Sequence, residues 1–418
     1  MPASVSTSSL FERAGDSTRL CVRWLLNPDQ TPQENCCLTI TSGILSEIRP
    51  CQATDRIQPL ALIPPLVNTH THLEFSSLQQ PFSATGTFPD WIGRVLEWRS
   101  QVTHDQSERI RLGVQESRNA AVRLVGDILT SPAATTDPHA WRGISAVLFR
   151  EVIALSPERA ITQLADLQQH LQMLSAAESG EDRLLAGISP HAPYTVHPDV
   201  LQQLVQLACQ YQAPLAMHLA ETAEELQLLQ QGSGPFAAML KRMGVWDERV
   251  FPGGRDPQDI LEQLQQAPRS LVIHGNYLND QQISWLAKNP QLTVVYCPRT
   301  HNFFQHPPHP FRSMRRAGVS VVLGTDGRST NPDLSILREL QQVLMLHPDL
   351  SCQHILGMAT TAAAAALGLP ELSQPITPGR PLQAAMLHLP AGCDRLSDIF
   401  QHASAATLLE MPAHAAGL

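Results

Sequence analysis

Up to residue 60 the apolar positions come in short β-rich runs, at Leu20–Leu25, Leu38–Ile40 and Ile44–Ile48. Turn clusters such as Asn27-Pro28-Asp29 part them. From Leu60 the rhythm changes, and apolar strand-like runs alternate with stretches of helical periodicity, as parallel α/β architecture requires. The strand candidates are Ala61–Val67, Gly126–Leu129, Ser145–Val152, Leu184–Ile188, Pro214–His218, Ser270–His274, Thr293–Tyr296 and Ser320–Gly324. Between them Ser156-Pro157 opens a helix running through Ala160–Leu174, with an N-cap and a proline at its first position. Asp199 is the expected cap of a second helix, whose inner face is Val200, Leu201, Leu204, Val205 and Ala208; Asn279 caps a third.

Eight strands with intervening helices over about 300 residues predict an α/β fold, a (β/α)8 TIM-type barrel. A doubly wound sheet is the alternative, but no G-x-G-x-x-G follows the first strand. Past Leu369 the strand-like Ala384–Leu389 follows a Pro378-Gly379 turn and can rejoin the N-terminal strands. The expected division is residues 1–60 with 371–418 in a small β domain and 61–370 in the barrel.

Composition narrows the class. The chain has 418 residues and a net charge of −9, which argues against nucleic-acid partners and against an anionic membrane surface. Its Cys residues follow no framework spacing and no C-x-x-C, so neither a disulfide scaffold nor a thiolate zinc site is expected. Met1 to Leu20 is polar, without the apolar segment of a secretory signal. No apolar run approaches the roughly 20 residues that span a bilayer. A reduced cytoplasmic protein is the expectation.

With 17 histidines in the chain, position must select among them. Barrel chemistry gathers at the C-terminal ends of strands. There stand His70 and His72 (first strand), His191 (fourth), His218 (fifth), His274 (sixth), His301 (seventh) and Asp326 (eighth). In His70-Thr71-His72 an extended backbone turns both imidazoles to one side. With His218 and Asp326 they supply three nitrogens and a carboxylate, a set suited to one divalent metal ion, Zn2+ first and Fe2+ or Mn2+ as alternatives, with room for a water. Two-metal barrel hydrolases commonly bridge their ions with a carboxylated lysine at a strand end. The only lysines here, Lys241 and Lys288, fall in helical contexts, so a single metal is expected. Metal-bound hydroxide then needs a carboxylic acid to carry a proton to the leaving group, and Glu221, three residues beyond His218, fits. His274 can orient the hydroxide or polarise the scissile bond, and Asp326 can take the water's proton.

At these residues the sequence resembles the amidohydrolase superfamily. The segments are IPPLVNTHTHLEFS (Ile63–Ser76), SPHAPYTV (Ser189–Val196), MHLAET (Met217–Thr222), HGNYL (His274–Leu278), YCPRTHNFF (Tyr296–Phe304) and LGTDGRSTNPDLS (Leu323–Ser335). They are similar to the mononuclear deaminase branch, which includes the cytosine, guanine and methylthioadenosine/S-adenosylhomocysteine deaminases and the chlorotriazine hydrolases. His72-Leu73-Glu74 and Cys297–His301 look most like aminodeoxyfutalosine-deaminase-type proteins. The resemblance implies a barrel with a small β-sandwich domain built from both chain ends. It implies His70, His72, His218 and Asp326 as metal ligands, Glu221 as proton shuttle, His274 beside the metal-bound water and His191 as a substrate contact. Where branch members often carry a Ser-Asn pair after Cys-Pro, this chain has Arg299, Thr300 and His301; Arg328 follows Thr325-Asp326-Gly327. Arg299 and Arg328 would suit a substrate carboxylate, or else form ion pairs in the barrel rim. Glu74 is a candidate contact to a sugar hydroxyl or ring nitrogen, again with an ion pair as the alternative. Pro378–Leu389 departs from the branch's usual Gly-Lys/Arg-x-Ala-Asp.

The function expected is therefore hydrolytic deamination of an amino-substituted, purine-like base or nucleoside. Hydrolysis of another C–N amide or amidine bond, or of a C–halide bond, is the alternative on the same scaffold. A non-catalytic binding protein is the remote one, since none of the ligand positions has been lost. The partner is a small-molecule substrate; a homodimer stays open, with nothing in the sequence calling for it.

Overall fold

The computed structural model describes residues 10–410 apart from 15, 104, 132–137, 177–181, 391–394 and 404–405. The first nine residues of the stretch read for a signal, and the last eight of the expected small domain, lie outside it. Fifteen strands are described. The first five are β1 (Glu12–Ala14), β2 (Ser17–Leu25), β3 (Gln33–Thr41), β4 (Ile44–Pro50) and β5 (Gln58–Ile63). The next eight are β6 (Leu66–Thr71), β7 (Val122–Leu129), β8 (Ser145–Val152), β9 (Leu184–Pro190), β10 (Leu215–Leu219), β11 (Ser270–His274), β12 (Leu292–Tyr296) and β13 (Val321–Leu323). Then come β14 (Gln383–His388) and β15 (Ala406–Glu410).

β6 to β13 pair in parallel in sequence order. Helices intervene along the chain, and the ring is a (β/α)8 barrel. Its closing seam is short: a parallel bridge joins Thr71 to Asp326, with Asp326 N–H donating to the His70 carbonyl (3.1 Å) and His72 N–H to the Asp326 carbonyl (3.3 Å). Val67, Leu124, Val147, Ile273, Val295 and Val322 are buried together in one cluster, as β-branched and leucine side chains from successive strands fill a barrel interior. Phe149 also fits there because two strand positions are glycine. A Cβ on Gly187 would meet the Phe149 ring at 2.5 Å, and one on Gly126 would meet the Thr69 carbonyl oxygen at 2.4 Å.

The run Ala61–Val67, expected as one strand, is two. Pro64-Pro65 cannot donate to a ladder, so β5 ends at Ile63 and β6 starts at Leu66 in a different sheet. The second barrel strand is longer than its weak pattern suggested. All of Val122–Leu129 is buried, and its charged members are matched: Arg123 to Asp182 (3.2 Å), Asp127 to the backbone N–H of Leu73 (2.8 Å). The cap expected at Asp199 lies two residues earlier. The His197 ring accepts from the Asp199 N–H and Pro198 takes the first helical position. Ser156 and Asn279 cap their helices as the spacing indicated.

A second sheet, ordered β15-β14-β5-β2-β3-β4 with β1 on β2, draws strands from both ends of the chain. Leu20, Val22, Leu38, Leu62 and Met386 pack together on it. Cys21 and Cys37 face each other across β2 and β3 and are joined by a disulfide, which corrects the expectation of none. A pair set by strand register leaves no motif for spacing to reveal. Among the described residues no helix is long and apolar enough to cross a membrane.

Candidate active site

At the C-terminal mouth of the barrel the strands leave the ladder by left-handed turns. Ala220 (φ 53°), His274 (φ 70°) and Asp326 (φ 58°) all adopt positive φ, which non-glycine residues take only when their surroundings hold them there. The first of these turns swings Glu221 back over the mouth. The Glu225 carboxylate accepts from the N–H groups of Ala220 (2.7 Å) and Glu221 (3.0 Å), and Asn276 donates to the Glu221 carbonyl (2.9 Å). Burial raises the Glu225 carboxyl to about 7 against the pull of those donors. His309 anchors His274 in the same way, its Nε2 meeting the His274 carbonyl at 2.9 Å.

His70, His72 and His218 bring ligand atoms within 4.8 Å of one another. Asp326 Oδ1 lies 3.6 Å from both His70 Nε2 and His72 Nε2. Both ring nitrogens of His70 and the Nδ1 of His72 are buried without a hydrogen-bond partner, an arrangement that costs free energy unless something else engages them. Nδ1 of His218 meets the His191 carbonyl at 2.8 Å, so its proton sits there and Nε2 is left as a free donor of electrons. Burial, then neighbouring imidazoles, hold His72 and His218 well below the usual imidazole range and hence neutral. Three imidazoles and a carboxylate form a donor set that fits a divalent cation.

Glu221 and His274 stand beside this cluster, Oε1 3.4 Å from Nε2. Burial first, then the charges of Asp326 and Glu225, push the Glu221 carboxyl well above the carboxylate range. A cavity of about 240 Å³ opens over the group, with His72, His191, His218, Glu221, His274 and Asp326 in its wall. The helix Phe88–Gln101 supplies much of the apolar wall, through Phe88, Trp91, Ile92 and Val95.

Three expected substrate contacts are placed elsewhere. Arg299 is bound to Asp333 (2.6 Å) and Glu339 (3.7 Å), and Arg328 to Glu116 (2.9 Å) and the Leu78 carbonyl (2.8 Å). Neither lines the cavity; each guanidinium is held by carboxylates in the rim, the buried Glu339 among them. Glu74 is buried too, with Arg99 on one carboxylate oxygen and the Thr130 hydroxyl on the other (3.0 Å). His301 is occupied with the Pro307 carbonyl (2.9 Å). Arg99 and Glu151 are among the charged wall residues that went unread in the sequence. Glu151 is the penultimate residue of β8, so the strand-end rule that selected the histidines would have found it. Arg99 lies on a helix, where an arginine reads as a solvated face.

A closed parallel barrel whose strand ends converge on histidines and an aspartate defines a class of hydrolase scaffold, and the comparisons agree. Residues 61–408 match the profile of the Amidohydrolase family, and the chain belongs to that family. It is 26% identical over 323 residues to the 5-methylthioadenosine/S-adenosylhomocysteine deaminase of Carboxydothermus hydrogenoformans, covering 74% of this chain and 68% of the relative. To the aminodeoxyfutalosine deaminase of Deinococcus radiodurans it is 28% identical over 309 residues, covering 69% of each. The crystal structure of Helicobacter pylori aminofutalosine deaminase in complex with methylthio-coformycin superposes with a TM-score of 0.77 at 22% identity, covering 94% of this chain and 98% of that one.

Proposed function

We propose that this chain is a hydrolytic deaminase of an amino-substituted purine-like base or nucleoside, acting with one divalent cation, Zn2+ before Fe2+ or Mn2+. The observation that carries it is the convergence of His70, His72, His218 and Asp326 from the ends of three strands, with the Glu221–His274 pair in the same wall. The relatives named as deaminases of adenosine-derived compounds support the choice of reaction.

A cation on those four side chains supplies the Lewis acidity that brings a water's pKa toward neutrality. The remaining roles fall to the chain itself. Glu221, kept protonated by burial, gives its proton to the ring nitrogen next to the amine-bearing carbon and recovers one from the attacking water. His274, held neutral by burial and fixed by His309, polarises the group under attack. Asp326 takes the other proton of the attacking water and passes it to the amine nitrogen, which departs as ammonia. His191 contacts the substrate from the fourth strand. The apolar wall from Phe88–Gln101 excludes water around the heterocycle. The enzyme works in the cytoplasm on a small molecule, without nucleic acid or membrane.

Metal-loaded protein should release ammonia from a panel of aminopurines, adenosine, thioadenosines and carboxylate-bearing nucleosides, guanine and cytosine. Release of halide or of a new carboxylate in place of ammonia would reassign the bond, and no turnover of the panel would remove the reading.

A further inference from the structure

The second sheet holds a disulfide with a third sulfur in reach. Cys21 and Cys37 pair in register across β2 and β3 and share the bond, 4% and 0% exposed. Cys51, one residue past β4, is a half-buried free thiol. Its N–H donates to the Asn35 carbonyl (2.7 Å), and its Sγ lies within 4.8 Å of the Cys21 Sγ. Cys36 takes no part. Neighbouring strand positions face opposite ways, and Cys36 packs among Leu20, Val22 and Leu38 with its thiol pushed up to about 12 by burial.

A cation is a poor occupant for this group. The Cys21 sulfur is engaged in the disulfide. Asp55, whose carboxylate lies within the same 4.8 Å, already binds the Arg49 guanidinium (2.7 and 3.2 Å) and the Gln52 N–H (2.7 Å). Thiol–disulfide exchange fits better. A dissolved thiol finds almost no exposed surface on Cys21 or Cys37, whereas Cys51 meets solvent on one side and Cys21 on the other. In a reducing compartment, the expectation from the sequence, disulfides are transient and serve redox roles, and transience needs a path for the reductant. Burial first, then the Asp55 charge, hold the Cys51 thiol above its usual range, and Arg49 pulls it back. The attacking thiolate is therefore scarce, which makes the exchange slow.

We propose that Cys51 is a site of S-thiolation by small monothiols and the port through which they reach the buried Cys21–Cys37 disulfide. The Cys51 thiolate attacks Cys21 Sγ. The Cys21–Cys51 bond forms, the Cys21–Cys37 bond breaks, and Cys37 leaves with the electron pair and takes up the proton that Cys51 gave up. A monothiol RSH then attacks the half-buried Cys51 sulfur, forming Cys51–S–S–R and freeing Cys21 as a thiol. A second RSH removes the R–S group as RSSR and restores the Cys51 thiol. Two RSH are thereby oxidised to one RSSR while the Cys21–Cys37 disulfide is reduced to two thiols, and an excess of RSSR drives the same steps backward.

Disulfide mapping by mass spectrometry tests the proposal on the full chain, purified without reductant, exposed to reduced glutathione and quenched with an alkylating agent. A peptide joining Cys21 to Cys51 and a glutathione adduct on Cys51 should appear before the Cys21–Cys37 pair is lost. In Cys51→Ser that pair should be reduced about tenfold more slowly. Cys209→Ser, which removes an exposed thiol elsewhere, should leave the rate unchanged. The wild-type mapping decides the matter even where the Cys51 variant does not fold. Equal rates in wild type and Cys51→Ser, glutathione on Cys21 or Cys37 with none on Cys51, or free thiols at both Cys21 and Cys37 before glutathione is added would each overturn it.

Discussion

Glu221 and His274 meet across neighbouring strands with a carboxylate oxygen 3.4 Å from Nε2, and burial drives both toward their neutral forms. A carboxyl that keeps its proton beside a neutral imidazole holds that proton ready for a substrate nitrogen in the same wall. The geometry is enforced from behind: Glu225 and Asn276 hold the Glu221 backbone, and His309 holds the His274 carbonyl.

Glu221→Gln keeps shape and removes the proton. The expected result is a loss in kcat of about 10²- to 10⁴-fold, with metal content by mass spectrometry unchanged. A variant that lost its metal instead would reassign Glu221 to holding the cation.

Removal of the cation should abolish ammonia release and lower Tm, because a ligand bound only by the folded state adds to its stability. Dialysis against a chelator followed by readdition of Zn2+ tests both effects. His218→Ala should lose stoichiometric metal, and a full metal complement in that variant would contradict the ligand assignment.

The sequence made the ring of strands legible because each strand is a buried apolar run. Six of the eight candidate strands, Ser145–Val152 and Ser270–His274 among them, fall on barrel strands with ends within a few residues. The histidines were legible because position at a strand end is itself information. Two kinds of fact were not. Pro64-Pro65 divides a continuous apolar run between two sheets, which only pairing partners reveal. The fates of Arg299, Arg328 and Glu74 depended on acidic and basic residues far along the chain, at Asp333, Glu339, Glu116 and Arg99. Charge partners of that sort carry no periodicity.

Arg299→Ala separates a structural arginine from a substrate contact. It strips the buried Glu339 of its guanidinium and should destabilise the protein by about 3 kcal/mol, read by urea unfolding. KM should stay within about twofold. A large rise in KM with unchanged stability would return Arg299 to the site.

His170 gives a pH signature remote from the catalytic cluster. Burial lowers its imidazole to about 4, with Nε2 against the Leu148 carbonyl at 2.9 Å. Between that value and the unfolded pKa near 6.5 the unfolded chain binds more protons, so stability rises with pH. The contribution is complete above about 6.5 and is lost as pH falls toward 4, worth up to about 3 kcal/mol. His170→Gln should flatten this part of the unfolding profile, and identical slopes in the two proteins would refute the assignment.

The seam between β6 and β13 is made by His70, Thr71 and His72 against Asp326, so the weld that shuts the barrel and the candidate cation site are the same few residues. A nascent chain cannot assemble the site until residue 326 has left the ribosome, more than 250 positions after the first histidine was made. Any fragment ending earlier has an open ring and no catalytic mouth. Uptake of the ion in a growing cell would then mark the moment when the newly synthesised barrel first becomes whole.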